Sequence, residues 1–161
     1  MLNSFAKTLM EAALENLATD RQQWMGLLAR SRETDLLGLW QAYGAAPDYS
    51  WLRAPETGGV MVRGRMGGSG APFNMGEMTV TRCSLTLAQG AVGHAYVQGR
   101  SKAKAEAAAL IDALMQTDQA DAVQQAVLTP LQTQETDRKS TRARKAAATK
   151  VDFFTLARGE D

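Results

Sequence analysis

The side chains able to do chemistry are few in this sequence, and they are scattered. His94 is the one histidine and Cys83 the one cysteine. A histidine titrates near neutral pH and works as a general base when a neighbouring group tunes it. Glu77 or Arg82 on an adjacent strand would be that group for His94. A zinc-type centre needs three or four ligands, and a lone histidine on a strand with no second ligand type nearby is better read as one residue of a sheet face. Cys83 falls in mid-strand rather than at a helix N-terminus, where a thiolate would be favoured, so packing is its expected role. Arg82 alternates to the opposite face, as an ion-pair or ligand residue.

Two stretches offer binding chemistry. In Arg65-Met66-Gly67-Gly68-Ser69-Gly70, glycines leave room for main-chain N–H groups to line an anion, and Arg65 or Arg63 supplies a cation. No GK[ST] closes the segment, so it is not a Walker A loop. No helix clearly opens from it, so it is not a dinucleotide fingerprint. It reads either as a mobile connection between strands or as a phosphate or partner contact through Arg65, Gly67, Gly68, Ser69 and Gly70. The second stretch, 131–150, holds Arg138, Lys139, Arg142, Arg144, Lys145 and Lys150. It lacks the interleaved aromatics of a base-stacking surface, and is expected to be a solvated helix or an arm that orders on a partner. No triad, metal cluster or paired acid and base emerges.

The elements that must position these residues are legible in part. Helical spacing runs from Phe5 to about Leu17. Thr19 and Gln22 have the capping-box pattern, and Trp24, Leu27 and Leu28 form a buried stripe. Leu36, Leu39, Trp40 and Tyr43 mark another helix, stopped by Gly44. The period then changes. A short strand is expected at Tyr49–Arg53 between Pro47 and Pro55, and a second at Gly59–Met66, with Val60, Val62 and Gly64 on one face. After a flexible connection over Gly67–Pro72, a long strand follows at Glu77–Leu87, with Thr79, Thr81, Cys83, Leu85 and Leu87 on one face. Ala88-Gln89-Gly90 reads as a hairpin loop, and Ala91–Gln98 as the returning strand. Ser101 is a plausible N-cap for a helix whose buried stripe is Ala107, Leu110, Ile111, Leu114 and Met115. A further helix is expected over Ala120–Leu128, before Pro130. Val151, Phe153, Phe154 and Leu156 form an apolar patch that must bury somewhere, since two exposed Phe rings forgo several kcal/mol.

The fold expectation is therefore α+β: N-terminal helices, a three- to four-stranded mostly antiparallel sheet, and C-terminal helices packed on it. The chain has 161 residues and a net charge of +1, which fits one domain and gives no global attraction to nucleic acid. Large aliphatic residues are sparse and alanine is abundant, as expected of a subunit that borrows a partner's surface. No apolar run is long enough for a membrane span, Lys7, Glu11 and Glu15 spoil a secretory leader, and one cysteine gives no disulfide framework. The cytoplasm is the expected compartment, with neither membrane nor nucleic acid as partner.

Several separated blocks share a pattern. Arg65-Met66-Gly67-Gly68-Ser69-Gly70 and Gly76-Glu77-Met78-Thr79-Val80-Thr81-Arg82 are followed by Gly90, Gly93 and Tyr96-Val97-Gln98-Gly99-Arg100. Lys102, Ala105-Glu106 and Ala109-Leu110-Ile111-Asp112-Ala113-Leu114-Met115-Gln116 come next, then Val151-Asp152-Phe153-Phe154-Thr155 and Arg158-Gly159. Arg21-Gln22-Gln23-Trp24-Met25 fits near the start. In this order the blocks resemble the PhnG family, a subunit of the bacterial carbon–phosphorus lyase core complex. The resemblance covers 19–161 as one domain, with a polar arm at 131–150 and an apolar anchor at 151–156. Residues 1–18 read as an N-terminal extension.

The resemblance implies a role in phosphonate use. Such a subunit acts with PhnH, PhnI and PhnL to replace the adenine of ATP with an alkylphosphonate at the ribose C1 carbon, as a homodimer within a larger two-fold assembly that also holds PhnJ and PhnK. It implies that MgATP is the substrate of the complex, that this chain alone binds no cofactor, that the nucleosidase centre belongs to PhnI, and that no catalytic residue falls on this chain. The radical step cannot be its own, because one cysteine cannot hold an iron–sulfur cluster. Val151, Phe153, Phe154 and Leu156 would anchor a partner, and Arg82 or Arg100 would form ion pairs across subunits. Two other readings predict different behaviour. A stand-alone phosphate- or nucleic-acid-binding module would bind alone and be salt-sensitive. An independent enzyme with His94 as base would turn over alone.

Overall fold

The computed structural model describes residues 19–149. Helix α1 covers 19–30 and helix α2 spans Glu33–Tyr43. The sheet follows as β1 (Tyr49–Arg65), β2 (Pro72–Leu87) and β3 (Val92–Gln98). Helix α3 is Lys102–Leu114, and α4 (Ala120–Val123) runs through a π turn at Gln124–Leu128 into α5 (Thr129–Ala148). The three strands form one antiparallel sheet in the order β1-β2-β3. The class is α+β, as expected, with three strands.

Local signals set several boundaries. Gly44 adopts the left-handed conformation (φ 72°) and its N–H bonds the Trp40 carbonyl, ending α2. The Ser101 hydroxyl accepts from the Lys104 N–H and caps α3. Gly90 (φ 93°) closes the β2–β3 turn, and its N–H bonds the Leu87 carbonyl. Along β2, Thr81, Cys83, Leu85 and Leu87 are buried in alternation.

Other boundaries lie elsewhere than the sequence suggests. β1 is one strand rather than two pieces, and it passes straight through Pro55. Proline has no N–H for a ladder and is tolerated on an edge strand or at a bulge. β1 is an edge, and its register shifts between Trp51 and Arg53 and again between Arg53 and Glu56. β2 starts at Pro72, five residues before Glu77, because Pro72 to Gly76 continue the pairing with β1. The connection at Met66–Gly68 is a tight 3-10 turn. Pro130 does not end the preceding helix. Its missing N–H and its ring conflict with a regular α turn, and the π turn stands just before it. Residues 131–148 of the polar stretch are helical, buried at Leu131 and Glu135 and exposed from Lys139 onward. Thr19 is the first described residue and is helical, so the start of α1 and the expected capping box lie at the limit of the described residues. The helix expected at 5–17 and the anchor at 151–156 lie outside the described residues.

The core sits between the sheet and α3, roofed by α1, α2 and the π turn. α3 is buried around most of its circumference rather than on one stripe: Lys104, Ala105 and Ala107 through Leu114 are all buried. Its alanines explain how. β3 crosses so close that a Cβ on Gly93 would collide with the Ala109 carbonyl and meet Ala113. Short side chains on α3 and none at Gly93 let helix and strand touch, and Leu85, Leu87, Leu114 and Val123 fill the flanks.

Candidate functional site

The glycine segment forms the tip of a long two-stranded ribbon. β3 pairs with β2 only over Val80–Thr86, so β1 and β2 continue beyond it as a bare hairpin. From Val80 to Pro72 the ribbon runs about 25 Å at ~3.3 Å per residue. At the tip Gly67 (φ 60°) and Gly68 (φ 80°) occupy the left-handed region, which glycine enters without steric cost. The Gly70 N–H bonds the Met66 carbonyl at 2.9 Å, and Arg65 Nη1 donates to the Gly70 carbonyl at 3.0 Å. One face of the Arg65 guanidinium therefore fastens the turn, leaving its other donors at the exposed tip beside Arg63. Ser69 is exposed there as well.

The ribbon also carries large apolar side chains in water: Met66 is 76% exposed and Met75 64%, with Met61 and Phe73 also exposed. A two-stranded hairpin by itself is marginally stable, and apolar groups concentrated on one protruding element mark an interaction surface.

Arg82 does not join this cluster. It lies at the base of the ribbon, opposite Glu56, whose carboxylate Oε1 accepts from Arg82 Nε at 2.6 Å and lies 3.5 Å from Arg53 Nη1. These groups are half exposed, so the pairs are worth little to stability. Arg65 and Glu56 are nine residues apart on one strand, which puts Arg65 and Arg82 about 30 Å apart.

His94 and Cys83 take structural roles. His94 is exposed, with Nδ1 2.9 Å from the Ser84 hydroxyl. Neither Glu77 nor Arg82 is its hydrogen-bond partner: Glu77 sits on the ribbon opposite Met61, and Arg82 is engaged with Glu56. The Cys83 thiol is buried in the core. Burial, with a smaller contribution from Glu106, pushes its pKa up to about 12, the opposite of an activated nucleophile. Among the described residues, no three of His, Cys, Asp and Glu gather as a metal set.

The centre that the sequence reading missed is Asp112. Its carboxylate is fully buried in α3 and takes four hydrogen bonds. Arg21 gives two (Nε to Oδ1 3.1 Å, Nη2 to Oδ2 2.7 Å), Trp24 Nε1 one at 2.9 Å, and the His94 main-chain N–H one at 2.8 Å. It joins α1, α3 and β3 at one point. The available signal was an aspartate inside an apolar helix face, which must find donors elsewhere. Lys104 is a second such tie. Its buried ammonium donates to the carbonyls of Ala29 (3.0 Å) and Ser31 (2.7 Å), closing the end of α1, and burial lowers its pKa.

With this geometry in view, two comparisons identify the family. Residues 19–159 match the family described as phosphonate metabolism protein PhnG. The chain belongs to the PhnG family. It is also 42% identical over 160 residues, 97% of each chain, to the alpha-D-ribose 1-methylphosphonate 5-triphosphate synthase subunit PhnG of Rhizobium meliloti strain 1021. In this PhnG-family chain the motif residues divide by structural job. Arg65 and the glycines shape the ribbon tip, Gly93 and Ala109 set the helix–sheet contact, and Arg21, Trp24 and Asp112 form the buried tie. No helix among the described residues is long and apolar enough to cross a membrane.

Proposed function

We propose that this chain is a non-autonomous subunit of an alpha-D-ribose 1-methylphosphonate 5-triphosphate synthase in phosphonate catabolism. It acts with PhnH-, PhnI- and PhnL-type partners, in the assembly that also holds PhnJ- and PhnK-type chains. MgATP and an alkylphosphonate are the substrates of the complex. A phosphonate oxygen bonds to the ribose C1 carbon, the bond from that carbon to adenine breaks, and adenine leaves. The centre for that exchange belongs to the PhnI-type partner, and this chain contributes position.

The observation that carries this reading is the bare β1–β2 ribbon. It projects about 25 Å past β3, bears exposed Met61, Met66, Phe73 and Met75, and ends in Arg63, Arg65 and the glycine turn. Its apolar side chains suit a docking arm seated in a partner. Its tip cations suit the triphosphate, whose negative charge they would share with the turn's N–H groups. The raised Cys83 thiol and the Ser84-bound His94 favour this reading over an independent enzyme.

The test pairs two variants. Phe73→Asp with Met75→Asp should abolish co-purification with a PhnI-type partner while leaving the melting temperature of the isolated chain within a few degrees, because both side chains face water in it. Arg65→Ala should leave the complex intact and raise KM for ATP roughly tenfold, the order of one charged hydrogen bond. An intact complex with the doubly acidic ribbon would sink the docking role. Unchanged ATP kinetics in Arg65→Ala would remove the triphosphate contact.

A further inference from the structure

Beyond Glu135, α5 carries no large apolar residue. Its buried residues are Leu131 and Glu135, and 139–149 are exposed throughout. On this half of the helix Arg138, Thr141, Arg142 and Lys145 recur at i, i+3, i+4 and i+7, so they share one face. Across from them stands Arg32, between α1 and α2. With Asp137 these residues line an open cavity of about 410 Å3. Four cations thus meet one carboxylate there, in a chain whose net charge is +1.

Elsewhere in the fold cations meet carboxylates: Arg21 holds Asp112, Arg30 and Lys139 share Glu135, and Arg82 holds Glu56. In the cavity only Arg138 does so. Its Nη1 donates to Asp35 Oδ2 at 2.9 Å, which fixes the guanidinium and leaves other N–H groups for a ligand. The side chains of Arg32, Arg142 and Lys145 have no hydrogen-bond or ion-pair partner among the described residues. Like charges three and four residues apart on a helix repel and weaken it. Arg138 with Arg142, and Arg142 with Lys145, stand at those spacings, and no buried apolar side chain follows Leu131 to offset the repulsion. An anion lying between them relieves it. Three of the four cations are arginines, whose planar fork takes two oxygens of a phosphate at once. The Thr141 hydroxyl accepts from Arg144 Nη2 at 3.3 Å and keeps its own proton to donate. From Arg138 to Lys145 the face runs about 10 Å at 1.5 Å per residue, so a ligand must spread its charge along a line to meet both ends. No aromatic ring on which a base would stack lines the cavity. Linked phosphates fit these terms better than one compact anion or a nucleic-acid strand.

We propose that Arg138, Arg142 and Lys145 on one face of α5, with Arg32 across the cavity, bind a linear oligophosphate, either free or as the triphosphate end of a nucleotide. The site shares no residue with the ribbon tip and does not rest on the synthase reading. Anion binding is read on the isolated full chain and product formation only in the reconstituted complex, so either can fail alone.

The test is calorimetric titration of the full chain at low ionic strength, where screening is weak. The probes are tripolyphosphate, ATP, orthophosphate and a synthetic hexaglutamate peptide. Tripolyphosphate should bind saturably, one per chain, and at least about tenfold tighter than orthophosphate. ATP binding equal to that of tripolyphosphate would assign the site to a nucleotide's triphosphate end, and tripolyphosphate binding alone would assign it to the free chain of phosphates. Arg32→Gln and Arg142→Gln should each raise the Kd about tenfold, the order of one charged hydrogen bond. Lys102→Gln removes the same charge from the exposed start of α3 and should leave the Kd within about twofold. Hydrogen exchange locates the site: amides of 138–145 should exchange more slowly with tripolyphosphate present, and less so in Arg142→Gln. Four results would each overturn the proposal: no saturable binding, orthophosphate or hexaglutamate binding as tightly as tripolyphosphate, an equal loss in Lys102→Gln, or unchanged exchange across 138–145.

Discussion

Asp112→Asn would test the buried tie most sharply. The substitution keeps shape and volume, so no cavity opens. It removes a charge and turns one oxygen into a donor. Oδ1 faces Arg21 Nε and Trp24 Nε1, and Oδ2 faces Arg21 Nη2 and the His94 N–H. Whichever end carries the new NH2 group, two of the four hydrogen bonds become donor–donor contacts. Hydrogen bonds to a charged group are worth ~1.5–3 kcal/mol each, and breaking a buried pair typically costs ~3–5 kcal/mol. Arg21 is one-third exposed and regains water, which puts the expected loss near the lower end, ~3 kcal/mol. At this chain length ~3 kcal/mol lowers Tm by roughly 6–12 °C. Urea unfolding followed by tryptophan fluorescence and circular dichroism measures it. The His94 amide, which loses its acceptor in one rotamer, should exchange faster in the native state. A loss below ~1 kcal/mol would show that Asp112 behaves as a surface ion pair and that α1, α3 and β3 are joined by apolar packing alone.

Three further outcomes follow from the same geometry. Gly93→Ala drives a methyl into the Ala109 carbonyl and should cost ~2–3 kcal/mol, whereas Gly58→Ala on the open ribbon should cost well under 1 kcal/mol; equal effects would deny the close helix–strand contact. Lys104→Met leaves the Ala29 and Ser31 carbonyls without their donor and should cost ~2–3 kcal/mol in urea unfolding; a neutral result would mean that water reaches those carbonyls. The Cys83 thiol should resist disulfide reagents in the native state and react once unfolded. Its folded pKa of about 12 exceeds the unfolded value of 9.0, so the unfolded chain releases that proton first. The stability attached to it is complete below pH 9 and falls as pH rises towards 12. The stability difference between wild type and Cys83→Ala should therefore shrink across that window, and a constant difference would refute the buried thiol.

What the sequence disclosed was local. Gly44, Ser101 and Gly90 act through their own backbone conformation or side-chain hydrogen bonds, so their helix stop, cap and turn were readable in place. The alternation of β2 was readable because one face of it is buried. Pro55 and Pro130 misled because each is tolerated for a reason outside its neighbourhood. Pro55 lies on a strand that proves to be the sheet's edge, and Pro130 follows a π turn packed into the core through Val127 and Leu128. Asp112 and Gly93 appeared among the separated blocks without a visible role, since the partners of Asp112 lie 18 to 91 residues away and those of Gly93 across a helix–strand contact. The glycine tip was found, but its separation from Arg82 was not, because strand length and register decide that distance.

The central claim is that this chain positions a synthase rather than performing its chemistry. The most direct measurement is adenine release from ATP and methylphosphonate in a mixture of PhnH-, PhnI- and PhnL-type proteins, with and without this chain, beside the chain alone. The account predicts an inert isolated chain, and formation of the ribose 1-phosphonate product only when the chain is present. Product formation at the full rate without it, or adenine release by the purified chain alone, would contradict the account.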